Sequence, residues 1–155
     1  YAGNTNRVVV DVYYNTREDV MRQRAAAGQQ LLPYYGPGWG FEKTGPMGFM
    51  RVRTQDFRDW RRLDGTAALQ LINLTANPVT AQLTLRGVAI NGAKKVSAGP
   101  EYQHTFPSGQ LDNWTVGPLA LQPGINEITL RDSLWPAGQN PLLVESVELR
   151  ESASR

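Results

Sequence analysis

Leu121 to Leu149 reads LQPGINEITLRDSLWPAGQNPLLVESVEL. A Pro123-Gly124 turn leads into Ile125 to Leu130, whose alternating apolar and polar residues have the period of a half-buried strand. A polar loop with Trp135 follows, and then a closing strand from Leu142 to Leu149. In that strand Leu142 and Val144 share one parity while Val147 and Leu149 share the other. One extra residue near Glu145 restores a common face, so the pattern predicts a β-bulge there. Two short strands joined in this way predict a two-layer β architecture rather than a helical one.

The same grammar extends toward the N-terminus. Trp114 to Leu121, Lys94 to Ser97, Ala81 to Leu85 and Ala67 to Leu74 read as strands, with turn signals at Ser108-Gly109, Asn91-Gly92 and Asn77-Pro78. Asn91-Gly92 predicts a hairpin between Val88–Ile90 and Lys94–Ser97, because both central residues of a type I′ turn need positive φ. Phe49 to Arg53 is a further short strand, and TQDFRDWRRLDGT (residues 54–66) a charged loop or edge. Arg7 to Tyr14 alternates as a first strand. Thr16 and Asp19 then form a capping-box-like start to a helix running to about Gln30 and ended by Pro33. The reading is an all-β, jelly-roll-like two-sheet sandwich of about eight strands with one short helix near the N-terminus. Residues 1–155 form a single domain in it, and residues 1–35 a strand-helix extension.

Composition narrows the chemistry. The 155 residues carry 16 basic and 14 acidic side chains, a formal charge of +2, too small to mark a polyanion-binding protein. With no Cys and one His, disulfides, thiolate metal sites and cysteine nucleophiles are excluded, and only His104 is available as an imidazole base. His104 has no Ser or Cys motif beside it, and Gln103 and Thr105 predict an ordinary surface position. No apolar run approaches the roughly 18 residues of a membrane span, so the chain as given is expected to be soluble. It begins on Tyr1, as expected of a processed form or a piece of a longer protein.

Several segments, in order, resemble a soluble domain attached to bacterial membrane glycosyltransferases of the dolichyl-phosphate-mannose type. They are GPGWGFEKTG (36–45), AALQLINLTANPVTAQLTLRG (67–87), VAING (88–92), LQPGINEITL and PLLVESVEL. The closing strands are also similar to those of jelly-roll carbohydrate-binding modules. Two features depart from these patterns: the basic-aromatic stretch after the first Gly-Trp is lengthened to GFMRVRTQDFRDWRRLDG (48–65), and the helix from Thr16 to Gln30 has no counterpart in a minimal binding module. The resemblance implies a non-catalytic, extracytoplasmic accessory domain that assists recognition of glycan or lipid-linked sugar, with catalysis and the membrane anchor in parts of a parent protein absent from this chain. A stand-alone carbohydrate-binding module and a structural protein-interaction domain are the alternatives.

Aromatic rings that stack on sugars and polar groups that bind hydroxyls are the candidate ligand-binding residues. Trp39, after Gly-Pro-Gly, is expected to pack into the core. Trp60, set among Arg58, Asp59, Arg61 and Arg62, is expected to be exposed, either as plain surface or as a ligand contact; Trp135 lies over the sandwich rim. The proposed set is Trp60, Trp135, Tyr34, Tyr35, Arg58 and Arg61. The basic cluster from Arg51 to Arg62 is read as a solvated or salt-bridged edge, with polyanion or lipid-headgroup contact as the rival and no nucleic acid expected. No carboxylate pair suggests acid-base catalysis, and Glu42 is read as a structural hydrogen-bonding group. No cofactor is implied, although a calcium ion held by backbone carbonyls and Asp132 or Glu148 is compatible with such a fold.

Overall fold

The computed structural model describes residues 16–42, 60–132 and 141–152. The expected strands at Arg7–Tyr14 and Phe49–Arg53 lie outside them. One helix, α1 (Arg17–Ala26), precedes ten strands among the described residues. These are β1 (Leu31–Tyr35), β2 (Trp39–Glu42), β3 (Trp60–Leu63), β4 (Thr66–Asn73), β5 (Val79–Ala89), β6 (Lys94–Ala98), β7 (Gln103–Phe106), β8 (Asp112–Leu121), β9 (Gly124–Asp132) and β10 (Leu142–Glu151). They form two five-stranded antiparallel sheets, ordered β1-β4-β9-β6-β7 (sheet A) and β2-β3-β10-β5-β8 (sheet B). From β3 onward the chain changes sheet at every connection but β6–β7, so most pairing is between residues far apart in sequence.

The core lies between the sheets. Leu69 and Leu71 of β4, Val96 of β6 and Leu130 of β9 meet Leu83 and Leu85 of β5 and Leu142, Val144 and Leu149 of β10. Each fully buried aliphatic side chain contributes about 1.5–3 kcal/mol. The β10 register shifts between Val144 and Ser146. The bulge expected near Glu145 is therefore present, and it carries Leu142, Val144, Val147 and Leu149 onto the same core.

The helix start is as read. The Thr16 side chain accepts from the Asp19 amide at 3.1 Å, and the Asp19 carboxylate accepts from the Thr16 amide, completing a capping box. The end differs. Gly28, at φ +82°, donates to Ala25 O while Gln29 N donates to Arg24 O, a Schellman closure that stops the helix at Ala26, before Pro33 is reached. Pro33 instead lies in β1, opposite Leu71. An edge strand of sheet A tolerates it because no ladder bond is required on its outer side. Val20 of α1 packs with Leu32 and Ile72, and the Arg17 guanidinium donates to Gln70 Oε1 at 2.9 Å. The helix thus covers the outer face of sheet A, which explains why β4 is buried on both sides.

Two more expectations are corrected. Asn91 (φ +59°) and Gly92 (φ +124°) do adopt the left-handed backbone, yet they join β5 of sheet B to β6 of sheet A, an arch rather than a hairpin. β5 is already flanked by β8 and β10, so no free edge remains for β6. The charged run around Trp60 is not a loop or edge there: β3 lies inside sheet B, between β2 and β10. Its Trp60 and Leu63 face opposite sides and both are buried.

Candidate functional site

Of the sequence-derived residues that the structure describes, Tyr35 and Arg61 meet, while Tyr34 and Trp60 lie in separate clusters. Tyr34 and Tyr35 are successive on β1 and point to opposite faces. Tyr34 packs with the helix cluster, and Tyr35 packs against the inter-sheet core. Tyr35 meets Trp39 of β2 edge-on at 5.1 Å, and the Arg61 guanidinium lies 4.6 Å above the Tyr35 ring. The Trp39 indole donates to Ala68 O at 2.7 Å. This corner closes the side of the sandwich where the edge strands β1 and β2 face each other. Burial pushes the Tyr35 phenol up to about 12, against the opposing pull of Arg61. The group is therefore a half-buried phenol that packs in its neutral form.

Trp60 is not on display. It is 4% exposed and packs with Val88 and Leu143, flanked by Ile90 and Leu111, on the outer face of sheet B. The charged neighbours that suggested exposure are split between the two faces of β3, Arg62 beside Trp60 and Arg61 beside Leu63. Arg62, for instance, pairs with Asp64 at 2.6 Å. Trp135 and Arg58 lie outside the described residues, as does the side chain of Glu42.

His104 is more than an ordinary surface residue. Its Nε2 is 2.8 Å from Asp112 Oδ2, and its ring stacks on Trp114 at 5.8 Å and meets Phe106 edge-on at 4.7 Å. This cluster closes the other open side, between edge strands β7 and β8. Low in the core, Lys94 Nζ donates to Asp132 Oδ2 at 2.6 Å, and both side chains are 1% exposed. The Asp132 carboxylate, a candidate calcium ligand, thus receives a lysine ammonium, and Glu148 pairs with Arg150 at 3.0 Å. Among the described residues no three His, Asp or Glu side chains converge.

The open polar surface is the outer face of sheet B along β10, β5 and β8, which the sequence reading did not single out. Arg86 on β5 donates through Nε to Glu145 Oε1 at 3.0 Å and through Nη1 to Asn113 Oδ1 at 3.3 Å. In the next row Thr84 and Thr115 share a hydroxyl hydrogen bond at 3.1 Å. The β10 bulge brings the Glu145 carboxylate beneath Arg86, where it is 2% exposed while Arg86 is 40% exposed.

No protein-family model matches the chain, and no curated protein matches it in sequence. Solved structures do match it. The GH26-CBM35 β-(1,4)-mannanase of Podospora anserina is 20% identical with a TM-score of 0.53, over 81% of this chain and 28% of that one. The chain spans little more than a quarter of that structure's length. The CBM36-1 domain of a multidomain xylanase from the hindgut metagenome of Trinervitermes trinervoides is 15% identical, TM-score 0.45, over 81% and 98%. TmCBM61, solved with β-1,4-galactotriose, is 12% identical, TM-score 0.42, over 79% and 88%. At these identities the likeness to the mannanase structure is one of fold. The chain is a two-sheet antiparallel β-sandwich of the jelly-roll kind.

Proposed function

We propose that this chain is a non-catalytic accessory domain that binds glycan. The observation that carries the reading is the sandwich itself, whose likeness to the GH26-CBM35 mannanase structure accompanies an open polar face on sheet B. A fold alone does not specify an activity, so the face supplies the second support: it offers side-chain donors and acceptors, as hydroxyl-rich ligands require. The same reading places the domain outside the cytoplasm. There it is part of a larger membrane glycosyltransferase-like protein, anchored through membrane-embedded segments beyond this chain, with glycan or lipid-linked sugar as partner. That setting is supported by the ordered segments from Gly36 to Leu149.

Glycan-array screening followed by calorimetry on the 155-residue chain tests binding, and saturable binding to at least one oligosaccharide is expected. Absence of binding to every glycan offered would count against the reading and leave a structural interaction domain. The full reading frame tests the setting. Membrane spans beside this domain are expected, and a frame encoding the sandwich alone would leave a stand-alone carbohydrate-binding module.

A further inference from the structure

We infer that the glycan-binding surface is the outer face of sheet B centred on Arg86, and that it takes a neutral glycan chain through its hydroxyls rather than by stacking on an aromatic ring. The inference rests on the glycan-binding reading above and deepens it. Arg86, Asn113, Thr84 and Thr115 occupy two adjacent rows across β5 and β8, and Gln82 lies beyond them opposite Arg150 of β10. With β10 alongside, the patch spans roughly 10 by 13 Å from ordinary strand and residue spacings, room for a short oligosaccharide.

The Arg86 guanidinium is held before any ligand arrives. Nε is fixed by Glu145 and one Nη1 proton by Asn113, which leaves the Nη2 protons directed to no described protein group. Because Asn113 is engaged through Oδ1, its amide protons also remain available. The Thr84–Thr115 pair uses one hydroxyl proton and leaves the other. A surface ion pair contributes little to stability, and burying a carboxylate to 2% exposure has a desolvation cost. Whatever else holds Glu145, its bond to Arg86 Nε removes rotamer freedom from the arginine that binding would otherwise have to remove.

Charge balance selects the ligand class. Among the described residues of this face Arg86 is paired with Glu145 and Arg150 with Glu148, each at 3.0 Å, so neither arginine presents an unbalanced charge to a uronate or a phosphate. Aromatic stacking is not offered by these rows, since Trp60 is buried in the neighbouring apolar cluster and Trp114 faces the core. Vicinal sugar hydroxyls, each both donor and acceptor, match what the face presents.

The test uses the 155-residue chain, isotopically labelled, titrated with neutral β-1,4-linked manno-, xylo-, cello- and galacto-oligosaccharides and with oligogalacturonate. A neutral oligosaccharide is expected to bind with amide shifts concentrated on β5, β8 and β10 and little dependence on salt. Asn113→Ala and the paired Thr84→Val, Thr115→Val variant, which leave Arg86–Glu145 in place, are each expected to weaken binding about tenfold, the equivalent of roughly 1.4 kcal/mol. The variants' spectra report folding directly. Binding that is unchanged in both folded variants, with shifts elsewhere, overturns the inference while glycan binding stands. Binding of oligogalacturonate alone overturns the neutral-ligand assignment in the same way. No binding of either class removes the glycan-binding reading and this inference with it.

Discussion

Replacing Lys94 by Met should destabilise the domain by about 3–5 kcal/mol, although the ion pair it breaks contributes little in itself. Lys94 Nζ and Asp132 Oδ2 are 2.6 Å apart, with both side chains 1% exposed. At an effective dielectric of about 20, charges about 3 Å apart attract by roughly 5–6 kcal/mol. Desolvation takes back several kcal/mol for each ion, so the pair comes out near neutral against an apolar pair of the same size. Lys94→Met keeps the stem volume but takes the balancing ammonium from the Asp132 carboxylate inside the sandwich. Lys94→Met with Asp132→Leu removes both charges.

Urea unfolding at neutral pH should show the single variant down by about 3–5 kcal/mol, roughly 10 °C in Tm for a domain of this size. The double variant should lie within about 1–2 kcal/mol of the parent, on either side. A single variant that loses less than about 1 kcal/mol would mean that water reaches the pair. A double variant as unstable as the single one would place the cost in packing rather than in charge. Either result refutes the reasoning.

Trp60→Ala should cost about 3–5 kcal/mol in thermal or urea unfolding, as expected for emptying a site that is 4% exposed; a loss below about 1 kcal/mol would show the indole to be peripheral. In an ultraviolet pH titration, one of the six tyrosines should ionise late, near pH 12, and later still in Arg61→Ala, because the guanidinium pulls the Tyr35 value down against burial. The corresponding stability is fully present below pH 10 and is lost between about 10 and 12, where the unfolded chain releases a proton that the folded chain keeps; the loss is at most on the order of 3 kcal/mol. Ionisation of all tyrosines together near pH 10 would contradict it.

Local patterns in the sequence carried the elements whose causes are local. Alternation located β4, β5, β8, β9 and β10, and the parity change at Glu145 located a bulge that the register confirms. Pairing was not legible, because Asn91-Gly92 specifies a backbone turn and not which edge the next strand will find. The two neighbours of β5 are set by β8 and β10, distant in sequence. Trp60 misled because charges fall on both parities around it, so each face of β3 carries one buried apolar residue beside one half-buried arginine and no alternation shows. Gly28 is the local stop signal of the helix, which the reading placed at Pro33 because the role of that proline on an edge strand is visible only once the sheet is known. The Lys94–Asp132 pair did leave a trace: Lys94 shares parity with Val96 and Ala98, and Asp132 with Ile128 and Leu130, so each charge sits on a core-facing row.

The distribution of aromatic side chains follows from how this sandwich ends. Two open sheets leave two long sides where neither layer covers the other, and apolar residues there would meet water. Tyr35 with Trp39 under Arg61 fills one side, and His104 with Trp114 and Phe106 fills the other. Helix α1 covers the outer face of sheet A, and Trp60 covers part of sheet B with Val88 and Leu143. The described tryptophans are thereby committed to closing the structure. What remains open is a polar surface whose central arginine is held in place by a buried carboxylate, so recognition falls to hydrogen bonding on sheet B rather than to the rings that first drew attention in the sequence.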